Sequence, residues 1–203
     1  MRVAVLGASG RAGSEITKEL AARGHQVRAI ARHADAIPAT AGVEAVAGDA
    51  SDTAALPELV RGSDAVISAL HFDVLSAEAM LAALKAAGVG RLLVTGGAAS
   101  LTVESGERLF DTPAFPAEWK PMAAGGIAFL DALRDEHTID WTFFSPAAFI
   151  FEGPRTGTFR TGGDRLIVDA NGESRISFAD FAIAMVDELE QHAHSRARFT
   201  AAY

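Results

Sequence analysis

The sequence predicts an α/β fold in which a doubly wound parallel sheet carries helices on both faces. Short apolar runs, typical of strands buried in a parallel sheet, alternate along the chain with segments of helical periodicity. Regular alternation of this kind implies right-handed crossover connections and one parallel sheet. With 203 residues, 49% of them hydrophobic and 22% charged, the chain is long enough for one large core. We therefore expect a single domain over residues 1–203.

The first two dozen residues hold the most specific pattern. Arg2–Leu6 is a short, mostly apolar run that predicts a strand, and Ile16 and Leu20 mark the core face of a helix that ends at Gly24. The turn between them reads Gly7, Ala8, Ser9, Gly10, Arg11, Ala12 and Gly13. In this G-x-x-G-x-x-G pattern the glycines permit a tight turn, close approach of a pyrophosphate, and packing of the helix on the strand. The pattern predicts a Rossmann-type dinucleotide site at the helix N-terminus. The alternative is a turn that only joins strand to helix.

The remaining elements of the sheet continue the alternation. Further strands are predicted, in chain order, over His25–Ala31, Val43–Ala47, Asp64–Leu70, Arg91–Thr95 and Trp141–Ser145. Helices are predicted over Thr53–Arg61, Ala77–Ala87 and from Pro121 to about Glu136. Ser51 or Asp52 is the expected cap of the first of these helices, and residues 34–42 are a short helix or a loop. Residues 100–121 interrupt the pattern and predict a long, functional surface loop.

The last third of the chain departs from the alternation. We expect residues 147–203 to form a small C-terminal cap over the strand carboxyl ends, on the substrate side, and residues 1–146 to form the cofactor-binding core. The predicted elements of the cap are a hairpin of Arg165–Asp169 and Ser174–Ser177 around Asn171-Gly172, an amphipathic helix over Phe178–Glu190, and a last edge strand over Arg198–Tyr203.

Composition excludes several classes of function. The formal net charge is −8 and no basic run is present, so we expect no nucleic-acid partner and no membrane partner. The chain has no cysteine, which excludes disulfides and thiolate catalysis, and His192 and His194 have no third ligand nearby, so no metal site is predicted. The first residues lack the pattern of a signal peptide and no uncharged run could span a bilayer. We expect a cytoplasmic monomer or homodimer.

Several motifs together resemble the atypical short-chain dehydrogenase/reductases. They are the Gly7–Gly13 turn, Gly48-Asp49, Val66–Leu70, Thr95-Gly96-Gly97, Ser145-Pro146, Arg175–Ser177 and Asp180–Ala182. Within that family the chain is most similar to an NAD(P)H-binding group often labelled NADH-flavin reductases, which is similar to biliverdin-reductase-B-like and NmrA-like proteins. The resemblance implies a Rossmann-type fold and an NAD(P)H cofactor. The larger family works with a Tyr-x-x-x-Lys pair, whereas the only tyrosine here is Tyr203, and Lys120, beside Trp119, stands near the expected place.

The end of the second predicted strand indicates which cofactor is preferred. An acidic residue about twenty positions beyond the glycine turn binds the ribose hydroxyls of NAD, whereas a cation accommodates the 2′-phosphate of NADP. This chain has Arg32 and His33 at that place, and Arg11 in the glycine turn supplies a second cation. We therefore expect NADP(H) to be preferred over NAD(H). The alternative is that both arginines are solvated surface charges.

Other strand ends supply the remaining predicted cofactor contacts, which are Asp49, Ala50, Ala69, Leu70, Gly96, Gly97 and Pro146. For Asp49 the resemblance implies contact with the adenine edge, and a turn residue is the alternative. The small residues at the ends of the fourth and fifth strands let a cofactor ribose pass closely, or they only form turns. Pro146 shapes the wall beside the nicotinamide, or only ends a strand.

Three side chains are candidates for the chemistry. Ser100 follows the fifth strand and is a candidate hydroxyl donor, with a plain turn residue as the alternative. His71, next to Asp73, is a candidate acid facing the nicotinamide, although a lone histidine is more often structural or solvated. Lys120 either binds the nicotinamide ribose or covers the surface.

These residues leave more than one function open. The first is an NADPH-dependent reductase that passes hydride to a small flat acceptor such as a flavin or quinone, which spreads the new charge without a tyrosine. The second is a non-enzymatic NADP(H) sensor or regulator, as some NmrA-like proteins are. An epimerase or dehydratase acting on a nucleotide sugar fits least, because it needs the tyrosine base. Aromatic side chains expected in the core, with one or two stacking on substrate, are Phe143, Phe144, Phe149 and Phe151.

Overall fold

The computed structural model describes residues 1–203 and contains ten strands and five α-helices. The strands are β1 (Arg2–Leu6), β2 (Gln26–Ala31), β3 (Val43–Ala47), β4 (Ala65–Ser68), β5 (Arg91–Thr95), β6 (Asp140–Pro146), β7 (Phe149–Phe151), β8 (Arg160–Gly162), β9 (Arg175–Ser177) and β10 (Ala197–Ala202). The helices are α1 (Arg11–Ala22), α2 (Leu56–Val60), α3 (Ala77–Ala87), α4 (Lys120–Arg134) and α5 (Phe178–Gln191). Short 3₁₀ turns lie at Ala34–Ala36, Ala98–Ser100, Leu109–Asp111 and Ala117–Trp119. None of the helices combines the length and the apolar character that a membrane crossing requires.

Eight strands form the main sheet, in the order β3-β2-β1-β4-β5-β6-β10-β8. All neighbours in it run parallel except β8, which is antiparallel to β10. The chain builds outward from β1 to β2 and β3, and then returns to add β4, β5 and β6 on the other side of β1. This topology confirms the predicted doubly wound, Rossmann-type sheet. The strand order reverses between β1 and β4, so a crevice is expected at their carboxyl ends.

Each central strand serves two separate core layers. In β1, Val3 and Val5 belong to the apolar cluster that includes α1 and α5, while Ala4 and Leu6 belong to the cluster that includes α3 and α4. Both faces of these strands are therefore covered, and most of their positions are apolar. This burial produces the continuous apolar runs by which the strands are recognised in the sequence.

The ring of Phe144, on β6, packs at the centre of an aromatic stack on the α5 side of the sheet. It stacks between Phe181 of α5 and Phe199 of β10, with centroid separations of 4.3 and 4.2 Å. Stacked aromatic pairs contribute about 0.5–1.5 kcal/mol each beyond the area that they bury. Of the four phenylalanines predicted to pack or stack, Phe143 and Phe144 are buried, whereas Phe149 is 60% exposed.

The helix predicted over residues 53–61 is shorter than expected. It begins at Leu56, because the Asp52 carboxylate accepts hydrogen bonds from the N–H groups of Ala54 and Ala55, at 3.1 Å each, and closes a separate turn first. Residues 101–119 form a long connection, as expected, whose helical structure is limited to short 3₁₀ turns, and α4 begins at Lys120, within the predicted loop.

Two predictions for the C-terminal part are wrong. Residues 165–169 form no strand, and β9 pairs in parallel with β7 instead of closing a hairpin. The tight turn itself forms, because the Asp169 carboxylate accepts from the N–H groups of Asn171 and Glu173 at 2.8 and 3.0 Å, and this local closure needs no strand pairing. In addition, β10 is not an edge strand, because β8 pairs along its outer side.

The C-terminal third is thus divided between the sheet and the crevice. β10 extends the main sheet beside β6, and α5 packs in the same apolar cluster as α1. The segment between β6 and α5 contributes Ala147, Ala148 and Ile150 to the wall of the crevice. The division of the chain at residue 146 into a cofactor core and a cap stays a prediction.

The two C-terminal histidines contact carboxylates at the amino end of the sheet. The Nδ1 atom of His194 is 2.7 Å from Oε2 of Glu188, and Nδ1 of His192 is 3.5 Å from Oδ2 of Asp140. Glu188 is buried and also accepts a hydrogen bond from Nη2 of Arg91 at 3.1 Å. These contacts assign both histidines to the packing of α5 against β5 and β6.

Tyr203, the only tyrosine, ties the end of the chain to α5. Its hydroxyl donates to Oδ2 of Asp180 at 2.7 Å and accepts from the N–H of Ser177 at 3.2 Å. The buried Asp180 also accepts from the hydroxyl of Thr156 at 2.5 Å and from the N–H of Gly157 at 2.8 Å. Burial by itself raises the pKa of Asp180, but these hydrogen bonds outweigh it and hold the pKa below its usual value.

We expect Tyr203→Phe to lower the free energy of unfolding by about 1.5–3 kcal/mol, because it removes one hydrogen bond to a buried carboxylate. Since the pKa of Asp180 is depressed in the folded state, the bond stabilises the ionised form. The loss is therefore fully present above about pH 4 and shrinks as the pH falls through the folded-state pKa of Asp180. Urea unfolding at neutral and at acid pH measures both effects. An equal loss at the two pH values would show that the bond does not depend on the charge of Asp180.

Candidate cofactor and substrate site

A cavity of about 960 Å³ lies at the carboxyl ends of the central strands and includes the end of β1 and the end of β4. We call it the main cavity. The predicted cofactor contacts in its wall are Gly7, Ser9, Gly10, Arg11, Ala12, Arg32, Asp49, Ala50, Ala69, Leu70, Gly96, Gly97 and Pro146. The predicted contacts that lie outside the wall are Ala8, Gly13, His33 and Lys120.

The first and third glycines of the turn are required by close packing. The N–H groups of Gly7 and Ala8 both donate to the carbonyl of Ile30, at 3.0 and 3.1 Å, so the turn is fixed to the end of β2. Gly7 has a φ of +79°, and a Cβ atom there would lie 2.7 Å from the carbonyl oxygen of Ala69. A Cβ atom on Gly13 would lie 2.2 Å from the carbonyl oxygen of Gly7. These approaches place the start of α1 directly above the end of β1.

The middle glycine differs from the other two. A Cβ atom on Gly10 would meet only the carbonyl oxygen of Gly7, at 3.3 Å, and Gly10 is exposed in the wall of the main cavity. Its small size is therefore not a packing requirement of the folded chain. It leaves room beside the first turn of α1 for a group in the cavity, as the sequence pattern predicts for a pyrophosphate.

The N–H of Gly10 donates to the carbonyl of Gly7 at 3.0 Å, but the N–H donors of the first turn of α1 have no protein partner. Gly10, the cap residue, makes no side-chain bond, and the first turn contains no acidic residue. The helices α3 and α5 differ, because Ser76 and Ser177 accept hydrogen bonds from the N–H groups of Ala79 and Asp180. Free donors and the positive end of the helix dipole thus face the main cavity, an arrangement suited to phosphate.

Two arginines stand at this end of the cavity. The guanidinium of Arg11 lies 5.3 Å from the ring centroid of Phe178, and Arg32 is exposed at the end of β2. Hydrogen bonds from Ser51, at 2.7 Å from its hydroxyl and 2.9 Å from its N–H, fix the carboxylate of Asp49. Together with the positive charge of Arg32 they hold the pKa of Asp49 below its usual value. Arg32 is therefore close enough to Asp49 to affect it, yet the two form no ion pair within 4.0 Å.

The other end of the main cavity is apolar. The connection between β5 and α4, with the first turns of α4, contributes Leu109, Ala114, Phe115, Pro116, Trp119, Met122, Ala123 and Ile127. Trp119 is 51% exposed and Met122 54%, so both lie at the rim. The ionisable side chains in the whole wall are Arg11, Arg32, Asp49, His71 and Asp73. The wall of the apolar end thus contains no lysine or arginine, although Lys120 follows Trp119 just outside it.

The candidates for chemistry are placed differently from one another. Ser100 and His71 line the main cavity, and His71 is exposed. Lys120 is the first residue of α4, and its Nζ atom points over the ring of Phe110, 5.2 Å from the centroid. A contact of Lys120 with a cofactor ribose stays a prediction.

Close packing also explains one of the two glycines after β5. A Cβ atom on Gly96 would lie 2.2 Å from the ring of Phe143, whereas one on Gly97 would meet nothing within 4 Å. Gly96 therefore keeps the end of β5 against β6, and Gly97 leaves free space in the cavity wall.

Sequence reasoning missed two groups of residues near this site. Phe72, Phe178, Met122 and Ile127 line the cavity from segments that look like ordinary core or loop sequence. Arg198, on β10, donates from Nη1 to Oγ of Ser100 at 2.9 Å. The only signal in the sequence is a charged residue inside a mostly apolar strand.

Comparison with known proteins agrees with this geometry. The sequence model described as NAD(P)H-binding matches residues 7–189. The chain belongs to this NAD(P)H-binding family. Membership supports a nicotinamide cofactor and, in general terms, an NAD(P)H-dependent oxidoreductase, and it confirms the resemblance to the atypical short-chain dehydrogenase/reductases.

Relatives of similar length extend the match over the whole chain. The Bacillus subtilis (strain 168) protein YwnB is 43% identical over 98% of this chain and 97% of its own length. A proposed epimerase from Bacteroides thetaiotaomicron is 39% identical, with a TM-score of 0.94 over 100% of this chain and 96% of its own. A proposed NADH-flavin reductase from Streptococcus pneumoniae is 36% identical, with a TM-score of 0.86 over 100% of this chain and 99% of its own.

We expect Gly10→Val to abolish binding of nicotinamide cofactors without unfolding the domain, because the side chain fills the space beside the first turn of α1. Calorimetric titration with NADPH and NADH, beside thermal unfolding, measures the two properties. Gly90→Val is the matched control, since a Cβ atom at Gly90 meets nothing within 4 Å and Gly90 is outside the cavity wall. Undiminished binding by Gly10→Val would mean that the turn is only structural.

Gly13→Ala should instead lower the free energy of unfolding, by about 1–3 kcal/mol or more.

Proposed function

We propose that the protein is an NADPH-dependent reductase that passes hydride to an uncharged, flat, conjugated acceptor such as a quinone or riboflavin. The observation that carries the proposal is the division of the main cavity. One end has the uncapped start of α1 and two arginines, and the other end is apolar and rimmed by Trp119 and Met122. A dinucleotide needs the first environment and a flat neutral ring system needs the second.

The cofactor end favours a phosphate on the adenosine ribose. Arg32 lies at the end of β2, the position at which NAD-specific proteins of this fold carry an acid. Arg11 approaches from the glycine turn, and neither arginine takes part in an ion pair with an acidic side chain. Two cations free to form charged hydrogen bonds match a dianionic 2′-phosphate better than a pair of ribose hydroxyls.

The chemistry in the middle of the cavity follows from what lines it. When bound, the nicotinamide supplies a hydride ion, and the chain supplies orientation and a place for the negative charge that the acceptor gains. Gly97 and Ala69 leave room for the ring at the strand ends, and Ser100 presents a hydroxyl close by. With Tyr203 bonded to Asp180, the chain has no phenol available as a proton donor. A conjugated acceptor suits such a site, because it delocalises the new charge and water completes its protonation.

The apolar end also limits what the acceptor carries. Its wall has no lysine or arginine. A phosphate on the acceptor would therefore have no lysine or arginine of the wall as a partner and would lose solvation. For this reason we favour riboflavin and quinones over FMN, and we disfavour a nucleotide sugar.

The preference for NADPH depends on Arg32. We expect Arg32→Ala to weaken NADPH binding about tenfold to a hundredfold, since one charged hydrogen-bonding partner contributes about 1.5–3 kcal/mol. NADH binding should be almost unchanged, so the preference largely disappears. Arg61→Ala is the control, because Arg61 is an exposed arginine paired with Glu58 and lies outside the main cavity. Titration calorimetry with both cofactors measures the effect, and an equal loss for both would refute the assignment of Arg32.

The acceptor is tested by steady-state assays with NADPH and a set of acceptors. We expect turnover of riboflavin and a benzoquinone, a higher KM for FMN than for riboflavin, and little turnover of simple aldehydes. Trp119→Ala should raise the KM for the flat acceptors while leaving the affinity for NADPH unchanged, because Trp119 lies at the apolar rim. Turnover of aldehydes alone would refute the proposed mechanism. Tight binding of NADPH with no turnover of any acceptor would identify a sensor instead.

A further inference from the structure

Arg198 is a buried cation close to the main cavity, and the proposed function assigns no role to it. Its side chain is 4% exposed, on a strand whose other side chains are mostly apolar. Nε and Nη2 both donate to Oδ1 of Asp164, the former at 2.9 Å, and Nη1 donates to Oγ of Ser100 at 2.9 Å. Burying a guanidinium is costly unless its donors are satisfied, and here a carboxylate and a serine hydroxyl satisfy three of them.

The direction of Arg198 follows from the register of the sheet. Arg198 is paired with Phe143 of β6, whose ring belongs to the α3 and α4 side of the core. Its neighbour Phe199 belongs to the opposite, α5 side. Arg198 therefore points to the face on which the 3₁₀ turn after β5 carries Ser100.

The same segment that carries Ser100 also holds Asp164 in place. Thr102 donates from its N–H and from its hydroxyl to the carbonyl of Asp164, at 2.8 and 3.1 Å. The N–H of Leu166 donates back to the carbonyl of Thr102 at 2.9 Å. The backbone of Asp164 is thus bonded to Thr102, two residues beyond Ser100, although the side chain of Asp164 is 71% exposed. The carboxylate, the guanidinium and the serine form one connected unit.

The arrangement determines what the Ser100 hydroxyl can do. A serine hydroxyl has one donor hydrogen and two acceptor lone pairs. Arginine keeps its positive charge and can only donate, so the hydrogen of Ser100 must point away from Arg198. Ser100 donates to no group of the protein and lies in the wall of the main cavity. Its hydrogen is therefore available to a ligand there, and the adjoining cation polarises the O–H bond.

We propose that Arg198, anchored by Asp164, is a positioning residue that orients and polarises the Ser100 hydroxyl as the hydrogen-bond donor to the acceptor's oxygen. This rests on the proposed function. In the overall reaction the reduced cofactor gives a hydride, and with it two electrons, to the acceptor. The acceptor also gains a proton, which comes from solvent. Ser100 donates a hydrogen bond to the developing oxyanion and keeps its proton. Arg198 lies outside the cavity wall, so it acts only through Ser100.

A double-mutant cycle with a non-reacting probe tests this coupling. The probe is 4-nitrophenolate, an anionic oxygen on a flat ring, titrated at alkaline pH into the protein saturated with NADP⁺. We expect Ser100→Ala and Arg198→Met each to weaken its binding about tenfold to a hundredfold, as for loss of a hydrogen bond to a charged group. The double variant should bind it no more weakly than Ser100→Ala alone, because Arg198 acts through that hydroxyl. With a benzoquinone both single variants should lower kcat, and NADPH affinity should be unchanged.

Two controls separate positioning from folding. Arg91→Met removes another buried arginine, 6% exposed in its side chain and paired with Glu188 at the amino end of the sheet. Arg91→Met should lower the free energy of unfolding without weakening the binding of 4-nitrophenolate. If Arg198→Met does not fold, Arg198→Lys and Asp164→Asn replace it in the same double-mutant cycle with Ser100→Ala. Each of the two should weaken the binding of 4-nitrophenolate only when Ser100 is present.

The outcomes are distinct for the inference and for the proposed function. Additive losses in the double variant, or unchanged binding of the phenolate by Arg198→Met or its substitutes, would overturn the inference even if quinones are reduced. A non-additive cycle in a protein that reduces no acceptor would support the unit of Asp164, Arg198 and Ser100 while refuting the reductase.

Discussion

The contact between Gly13 and the carbonyl of Gly7 determines most of the architecture of the site. Because the helix backbone comes so near to the turn that no Cβ atom fits, α1 begins directly above β1, with its free N–H groups facing the crevice. The helix α1 also packs in the same apolar cluster as α5. The helix α5 in turn carries Phe181, which stacks on Phe144 and so secures β6 beside β10. The close approach at Gly13 thus places the phosphate end of the cavity on the same packed layer that carries β6 and β10.

The two ends of the main cavity show how the fold separates two kinds of recognition. The phosphate end uses backbone groups and helix direction, which side-chain substitutions elsewhere cannot easily change. The apolar end is made from the connection after β5 and the first turns of α4, where side chains such as Trp119 and Met122 remain exposed. The first property belongs to the doubly wound sheet in general. The second belongs to this chain, and it is the part that determines which acceptor fits.

Local patterns explain why the first part of the fold was predictable and the last part was not. The strands β1, β4, β5 and β6 are covered on both faces, so their apolar runs are visible without knowledge of their partners, whereas β3, at the edge of the sheet, has no buried residue. The strand β8 has the sequence Arg-Thr-Gly, which carries no such pattern, and it pairs only because β10 offers a free side. The parallel pairing of β7 with β9 joins residues that are far apart in sequence. The glycine turn was placed correctly for the same local reason, whereas Arg198 is 98 positions from Ser100, and no local pattern connects them.

The two hydroxyl groups that matter most in this chain are held by opposite charges, and this explains their different roles. Tyr203 is bonded to the carboxylate of Asp180, so its hydrogen is directed into the protein and is not available to a ligand. Ser100 is bonded to the guanidinium of Arg198, so its oxygen is directed into the protein and its hydrogen toward the cavity. A phenol that donates inward stabilises the fold, while an alcohol that donates outward stabilises negative charge on a ligand. The chain therefore has an oriented hydrogen-bond donor at the cavity but no phenol there, a combination that favours acceptors able to delocalise charge over those that need a proton at once.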